Sequence, residues 1–351
     1  MNSPRQTENG LEAAISSSGR SFDPAGLERL LALRYGGAVG DLICGITTKP
    51  LSDLIGRPGK RIRGRLVEIG YELGRGQQIP AGDPVCRRLM DAIESLHAGS
   101  LAVDDLQDGS RMRRGAPSLH VKYGVPIAVN IGNLLYFWTP EIVAELDLDA
   151  ERELKMHRLY HRTMVRAHLG QAMDVGIPID TLPQARVPEV CFAAMELKSG
   201  ALFSLALLFG ALAGGASDGL VDVIDEFGHG FGIGLQMFDD IGNIRGVVEP
   251  AKRWEDLLLR RPTWIWACAA RHFSKDIYGD FVHAVHQLSA DDRHPLETWF
   301  EQHGFLARAT RLAQEHLNAS FEKLESRVQP SHRPAVQRLR ALGAEIARAY
   351  E

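Results

Sequence analysis

Apolar residues recur along this chain at intervals of three and four positions. Leu27, Leu30, Leu31 and Tyr35 show the repeat near the start, and residues 306–317 show it near the end. This spacing is typical of amphipathic α-helices and not of strands, which alternate every second residue. Segments rich in glycine and proline follow one another at distances suited to helix ends. The pattern predicts an all-α fold.

The beginning of the chain differs from the rest. Its first twenty or so residues are polar, include Ser16-Ser17-Ser18, and lack the basic start and apolar run of a signal peptide. We expect a disordered tail over residues 1–22. No linker-like stretch interrupts the rest of the chain, so we expect a single all-α domain over residues 23–351.

The most apolar stretch, residues 201–216, is shorter than the roughly 20 residues that span a bilayer. We therefore expect a buried core helix there and no stable membrane insertion. The composition, 45% apolar and 24% charged, is that of an ordinary globular protein. A formal net charge of −4 argues against a nucleic-acid partner.

The four cysteines have neither metal-site nor disulfide-framework spacing. They are Cys44, Cys86, Cys191 and Cys268. Isolated thiols of this kind indicate a reducing compartment, and we expect a cytoplasmic protein.

Two groups of carboxylates lie in apolar stretches, each followed closely by a glycine. They are Asp104-Asp105-x-x-Asp108, here acidic cluster 1, and Asp239-Asp240-x-x-Asn243, here acidic cluster 2. The helix that carries cluster 1 is predicted to run from about residue 84 to Asp108. Carboxylates in a last helical turn face the negative end of the helix dipole, which is unfavourable by about 0.3–1 kcal/mol. We therefore expect a bound cation, and hard oxygen ligands suit Mg²⁺.

Basic residues accompany the acidic clusters. Lys60 and Arg63 lie three positions apart at the start of a predicted helix, and Arg113-Arg114 follow cluster 1 after a short loop. Guanidinium and ammonium groups near a helix start are suited to phosphate oxygens. Carboxylates for Mg²⁺ together with side chains for anions point to a substrate that carries a diphosphate.

Five motifs, in order, make the chain resemble a known family, the trans (all-E) isoprenyl diphosphate synthases, and most of all their geranylgeranyl type. They are "GKRIRGRL", "LHAGSLAVDDLQDGSRMRRGAPSLH", "GQAMD", "LKSGALF" and "LQMFDDIGN". The resemblance implies an all-α isoprenoid-synthase-type bundle around a deep central cavity, as a homodimer. It also implies Mg²⁺ as cofactor, about three ions per active site, and head-to-tail condensation of isopentenyl diphosphate with an allylic prenyl diphosphate.

The resemblance implies a role for each matching residue. The expected Mg²⁺ ligands are Asp104, Asp108 and Asp239, and the expected supporting carboxylates are Asp105, Asp174 and Asp240. The residues expected to hold isopentenyl diphosphate are Lys60, Arg63, His97 and Arg114. Those expected at the allylic diphosphate are Arg113, Gln171, Lys198 and Lys252. Lys198, Ser199 and Gln236 are the expected catalytic residues, the last two facing the developing cation.

The length of the product depends on the space below cluster 1. Ser100 and Gly99, four and five residues before Asp104, lie about one helical turn deeper, and their small size leaves that space open beyond a C15 chain. Aromatic residues 136–138 could supply a floor or could be ordinary core packing. We predict a C20 product, geranylgeranyl diphosphate.

Four residues depart from the family pattern: Val103, Phe238, Asn243 and Arg261. Arg261 stands where the family has Lys, and a planar guanidinium does not reproduce a compact ammonium.

Three alternatives stay open. The first is a terpene cyclase, although a cyclase would not need the basic residues expected to hold isopentenyl diphosphate. The second is a weakly active partner subunit of a prenyl synthase. The third is a di-iron bundle built on Glu94-x-x-His97, although no second motif of this kind is well placed.

Overall fold

The computed structural model describes residues 38–247, 253–289 and 292–350. The expected tail, residues 1–22, lies outside this part of the chain. Two compact units make up the structure. Unit 1 consists of the described residues up to Arg65 together with Ala81–Asp149, and unit 2 consists of Leu66–Pro80 together with the described residues from Ala150 onward. The expectation of a single domain over residues 23–351 stays a prediction.

Unit 1 is helical apart from one small hairpin. Its elements are α1 (Ala38–Ile43), a π-helical turn (Cys44–Thr48), α2 (Lys49–Ile55), the first turn of α3 (Ile62–Arg75), α4 (Pro84–Gln107), β1 (Met112–Arg113), β2 (Ala116–Pro117), α5 (Leu119–Tyr123) and α6 (Val125–Ala144). The hairpin falls in a segment where the sequence predicted only a helix break.

Helix α4 begins and ends where its sequence predicts. The Asp83 side chain caps the start by accepting a hydrogen bond from the backbone N–H of Cys86 at 3.0 Å, and Pro84 occupies the first turn, where its missing N–H has no cost. Gly109, with a φ of 67°, follows the last turn and takes the left-handed conformation that terminates helices.

Close packing of α4 against α6 forms the core of unit 1. The two helices meet at Gly99 and Gly132. A side-chain carbon at Gly99 would lie 2.8 Å from Cβ of Leu135, and one at Gly132 would lie 2.7 Å from Val103. A glycine on each helix is therefore what permits this separation. The buried residues around the contact include Ala98, Ala102, Ile131, Leu135 and Trp138.

Unit 2 holds the remaining helices. Its elements are the rest of α3, α7 (Ala150–Gly176), two 3₁₀ turns (Ile179–Thr181 and Gln184–Arg186), α8 (Val187–Met195), a π-helical segment (Glu196–Gly200), α9 (Ala201–Gly214), α10 (Asp218–Arg245), α11 (Glu255–Leu258), α12 (Trp264–His272), α13 (Lys275–Gln287), α14 (His294–Gln302), α15 (Phe305–Arg327), a 3₁₀ turn (Pro330–His332) and α16 (Arg333–Arg348).

Helix α9 lies at the centre of unit 2 and is apolar on every side. All its residues from Phe203 to Ala213 are buried, which confirms the predicted core helix. Within the described part of the chain, the helical run Gln184–Gly214 has the length and apolar composition of a membrane span, yet 78% of its most apolar window is buried in the structure. A helix that is hydrophobic all round and buried is typical of a protein core.

Helix α10 passes close to the π-helical segment. A side-chain carbon at Gly232 would lie 2.8 Å from Cα of Gly200, so the two backbones almost touch. Gln236, one turn further along α10, is thereby brought beside Ser199.

Candidate functional site

The three carboxylates of acidic cluster 1 differ in exposure. Asp105 is buried, with 3% of its side chain exposed, whereas 24% of the Asp104 side chain is exposed. Asp108, at the C-cap of α4, is half-exposed and lies one turn beyond Asp104. Asp104 and Asp108 therefore present oxygen atoms outward from the negative end of the helix, while Asp105 faces inward.

The hairpin after cluster 1 carries Arg113 to the buried carboxylate. Nε of Arg113 donates to Oδ1 of Asp105 at 2.8 Å, and Nη2 donates to the same oxygen. The same Nη2 lies 3.8 Å from Oδ2 of Asp104. Arg113 thus neutralises the inward member of cluster 1 and lies beside an outward one.

Arg114 occupies the turn of the hairpin in a costly conformation. The pairs Met112–Pro117 and Arg113–Ala116 leave Arg114 and Gly115 as a two-residue turn with φ of 54° and 76°. Turns of this type need positive φ at both central residues and favour Asn or Asp followed by Gly. The left-handed conformation costs a residue such as arginine on the order of 1–2 kcal/mol. Strain of this kind clusters at functional sites.

The strained turn places the Arg114 guanidinium against Gly59. A side-chain carbon at Gly59 would lie 2.8 Å from Cζ of Arg114, so any larger residue there would displace the guanidinium from this position. Lys60 is the next residue and is exposed. The structure thus brings Arg114 to the start of the segment that carries Lys60 and Arg63.

His97 is a neutral member of this basic group. Nη1 of Arg63 lies 3.1 Å from Nε2 of His97. Because a guanidinium can only donate, Nε2 accepts and the ring proton resides on Nδ1, which has no hydrogen-bond partner among the described residues. Burial, followed by the charges of Arg63, Arg114 and Arg113, holds the pKa of His97 well below its usual range. Three guanidinium groups near an uncharged imidazole are an arrangement suited to an anion.

In unit 2 a chain of hydrogen bonds links the π-helical segment to acidic cluster 2. The Ser199 hydroxyl donates to Oε1 of Gln236 at 2.6 Å, and the Gln236 amide donates to Oδ1 of Asp240 at 2.8 Å. The other oxygen of Asp240 accepts from the backbone N–H of Trp264 at 2.6 Å. Burial and the nearby charge of Asp256 raise the pKa of Asp240 well above its usual range.

Lys198, also in the π-helical segment, pairs with Asp174 of α7. The distance from Nζ to Oδ2 is 2.7 Å. Gln171 is half-buried and lies one turn before Asp174 on α7. Arg261, one of the departures from the family pattern, is buried and donates to the main-chain oxygen of Asp174 at 3.0 Å. A guanidinium at the C-terminal turn of a helix is favoured by the dipole, so this arginine has a structural role there.

Asp256 is an ionisable member of this group that motif reasoning missed. It lies half-buried on α11. Burial, then the charges of Asp239 and Asp174, raise its pKa to about 7, although Lys198 opposes the shift. The only sequence signal for it was a carboxylate next to the apolar run of residues 257–259.

Acidic cluster 2 presents one exposed carboxylate. Asp239 is exposed, whereas Asp240 is buried and Asn243 is half-buried. Among the residues that the structure describes, no group of three or more His, Cys, Asp or Glu side chains is arranged to hold a metal ion. Lys252, expected at the allylic diphosphate, lies outside the described residues.

Comparison with known proteins identifies the family. The model of the family described as polyprenyl synthetase matches residues 45–292, well over half of the chain. The chain belongs to the polyprenyl synthetase family. This confirms the family predicted from the five motifs.

Two curated relatives carry the same name. A geranylgeranyl diphosphate synthase of Methanosarcina mazei is 30% identical over 276 residues, which is 78% of this chain and 81% of that enzyme. A geranylgeranyl diphosphate synthase of Sulfolobus acidocaldarius is 34% identical over 52% of this chain, and the match spans about half, 54%, of that enzyme's length.

Solved structures of polyprenyl synthetases share the fold. The geranylgeranyl pyrophosphate synthase of Corynebacterium glutamicum, complexed with isoprenyl diphosphate and magnesium, matches with a TM-score of 0.77 at 20% identity. The match covers 96% of this chain and 98% of that one. At this identity the likeness concerns the fold, and it confirms the predicted all-α class.

Two of the other departures from the polyprenyl synthetase pattern, Phe238 and Val103, take part in packing. Phe238 is 1% exposed and belongs to the core of unit 2. Val103 packs over Gly132 where α4 meets α6. The main-chain oxygen of Asn243 accepts from the backbone N–H of Trp254 at 3.3 Å, a contact that an aspartate would make equally well.

The residues expected to set product length do not all face open space. Gly99 faces α6, where its small size serves helix packing. The Ser100 hydroxyl donates to the main-chain oxygen of His97 at 2.8 Å, and the residue is half-buried. Of the aromatic residues after cluster 1, Trp138 belongs to the core and Phe137 is 73% exposed.

Proposed function

We propose that this polyprenyl synthetase condenses isopentenyl diphosphate with an allylic prenyl diphosphate, head to tail and in trans, to give geranylgeranyl diphosphate. The observation that carries the proposal is the site in unit 1. There a strained arginine, a second arginine and a neutral histidine form an anion site that includes Arg113, the arginine bound to cluster 1. The names of the curated relatives support the same reaction.

The exposed carboxylates fit Mg²⁺. This ion is usually bound through one or two carboxylates and completed by water and substrate phosphate oxygens. Asp104 and Asp108 offer such a pair one turn apart, and Asp239 offers an exposed oxygen in unit 2. When bound, Mg²⁺ supplies a Lewis acid that stabilises the departing diphosphate.

The supporting carboxylates act through their neighbours. Asp105 holds Arg113, Asp174 holds Lys198, and Asp240 holds Gln236. Each of these three carboxylates is therefore paired with a side chain that we assign to substrate binding, and none of them is an outward-facing Mg²⁺ ligand. This division into outward ligands and inward supports is what we propose for both clusters.

The basic side chains bind the two diphosphates. Lys60, Arg63 and Arg114 hold isopentenyl diphosphate, with His97 as a neutral hydrogen-bonding partner of Arg63. The residues assigned to the diphosphate of the allylic substrate are Arg113, Gln171, Lys198 and Lys252. Fixed positive groups at the place where negative charge accumulates lower the barrier to ionisation.

Ser199 and Gln236 face the allylic cation. Because the Ser199 hydroxyl donates its proton to Gln236, its lone pairs remain directed away from that bond and can stabilise positive charge. The double bond of isopentenyl diphosphate attacks the cation and forms the new C–C bond. The released diphosphate then accepts the proton that is lost, so no dedicated protein base is required.

The proposal is tested by incubating the purified protein with Mg²⁺, isopentenyl diphosphate and each allylic diphosphate in turn, and by analysing products before and after phosphatase treatment. We expect a C20 alcohol that appears only after phosphatase. A cyclic hydrocarbon without phosphatase would show a cyclase instead. No turnover with any primer would favour a partner subunit, and products of C15 or much longer would refute the assigned length.

A further inference from the structure

Arg57 carries a buried charge that belongs to neither the acidic clusters nor the side chains assigned to diphosphate. It lies in the loop between α2 and α3, and only 5% of its side chain is exposed. An isolated charge out of water costs several kcal/mol unless it is paired and hydrogen-bonded. The residue must therefore be held by strong partners.

The partners of Arg57 lie on two sides. On one side, Nη2 forms an ion pair with Oδ2 of Asp53 at 3.2 Å and Nε donates to the main-chain oxygen of the same residue at 3.3 Å. Asp53 is itself held by Lys122, 3.1 Å away. On the other side, the guanidinium donates to main-chain oxygens of the hairpin.

The two hairpin contacts lie one on each strand. Nη1 of Arg57 donates to the carbonyl of Arg113 in β1 at 3.1 Å, and Nη2 donates to the carbonyl of Pro117 in β2 at 2.8 Å. A planar guanidinium can hold both carbonyls at once in a fixed geometry, which a lysine ammonium cannot do. A two-stranded ribbon of this length is not stable on its own. Arg57 therefore binds the two strands together.

This hairpin carries the two arginines assigned to the diphosphates. The side chain of Arg113 extends from β1 and donates hydrogen bonds to Asp105, and Arg114 takes its left-handed conformation in the turn. A strained conformation of this kind persists only where the surrounding structure over-determines it. The fork of Arg57 supplies such a constraint, because it fixes the main chain on both sides of the turn.

We propose that Arg57 is a positioning residue for substrate binding, which orients the hairpin so that Arg114 and Arg113 meet diphosphate. The inference rests on the proposed function. It adds a residue that contacts no substrate and acts through main-chain carbonyls. Asp53 is part of the same interaction network because it orients the guanidinium of Arg57.

Steady-state kinetics of Arg57→Lys and Arg57→Gln test the inference. We expect the KM for isopentenyl diphosphate to rise roughly tenfold or more, the effect of losing two buried hydrogen bonds, with a smaller change in the KM for the allylic substrate. Asp53→Asn should change the same KM in the same direction by less. Arg88→Lys is the matched control, because Arg88 pairs with Glu145 in unit 1 away from the hairpin. The KM of this variant for isopentenyl diphosphate should equal that of the wild type.

Hydrogen exchange separates this inference from the proposed function. The backbone N–H of Ser118 donates to the main-chain oxygen of Arg111 at the base of the hairpin, so its protection reports whether the ribbon is closed. In Arg57→Gln we expect faster exchange over residues 111–118 and unchanged exchange in α4 and α6, whether or not the protein turns over. Unchanged exchange in the hairpin, or an Arg57→Lys variant with an unchanged KM, would overturn the role of Arg57.

Discussion

Individual carboxylates in the acidic clusters differ by their contacts, and mutation should reveal the difference. Asp104→Ala removes a proposed Mg²⁺ ligand whose side chain is part-exposed, so we expect kcat to fall by at least about 100-fold, as for loss of one charge-stabilising group, with little loss of stability. Asp147→Ala, an exposed carboxylate in the same unit, is the control. Turnover measured at saturating substrates checks the effect, and an active Asp104→Ala would refute the assignment.

His97 should make stability depend on pH. Its pKa is lowered in the folded protein, so the unfolded chain binds a proton first as the pH falls. The stability that comes from the neutral imidazole is therefore complete above about pH 6.5, its unfolded pKa, and is lost progressively as the pH falls below that value. Unfolding by urea at pH 7, 6 and 5 should show a weaker dependence in His97→Gln than in the wild type. Equal slopes would contradict the assignment of a neutral His97.

At the scale of single residues, the candidate site residues could be named from the sequence, because chemistry is carried by residue type, and their roles stay predictions. Aspartates bunched near a helix end, and arginines that follow them, are visible without coordinates. Burial is not visible. Asp256 was missed because nothing in the sequence shows that its charge lies near those of Asp239 and Asp174. The role of Arg57 was missed because its partners in the hairpin are main-chain carbonyls.

Among the elements, the contact between α4 and α6 makes the most specific prediction. Gly99→Ala would place a carbon 2.8 Å from Leu135 and 2.9 Å from the main-chain oxygen of Gly132, and a backbone atom cannot move aside. We expect a loss of about 1–3 kcal/mol in the free energy of unfolding, as for overpacking. Gly279→Ala is the matched control, since Gly279 lies inside α13 with open space around it. That variant should be about as stable as the wild type or up to about 1 kcal/mol more stable. Urea unfolding of both variants checks the difference.

Ser100 is therefore the better position at which to test product length. A phenylalanine at Gly99 would disrupt the packing of α4, whereas Ser100 makes only a local hydrogen bond to its own helix. We expect Ser100→Phe to shift the product from C20 towards C15 with kcat for the first condensation preserved. Chromatography of the dephosphorylated products checks this. A variant that still makes only C20 would show that position 100 does not limit the chain.

The elements that the sequence did not predict are those without a periodic signal. Strands of two residues are too short to alternate, so the hairpin was taken for a helix break. The π-helical segment Glu196–Gly200 was also missed, because five residues are too few to show a period of their own. Such segments are frequent at functional sites, and this one carries Lys198 and Ser199.

For the whole molecule, the resemblance predicts a homodimer, and α7 offers a face for it. Leu154, Val165 and Leu169 are about half-exposed or more, and their spacing places them on one side of the helix. Several exposed apolar side chains on one stripe indicate a contact with another chain more than scattered ones do.

We therefore expect light scattering to report twice the monomer mass of 38.7 kDa, and the double variant Val165→Glu with Leu169→Glu to sediment as a monomer that keeps its helical circular dichroism. Leu42→Glu, at a leucine that is 66% exposed in unit 1, serves as the control for an added charge at an apolar surface position. If the double variant remains a dimer, the interface lies elsewhere. If the wild type is itself a monomer at micromolar concentration, the resemblance does not extend to assembly, and the substrate sites of one chain must be sufficient for turnover.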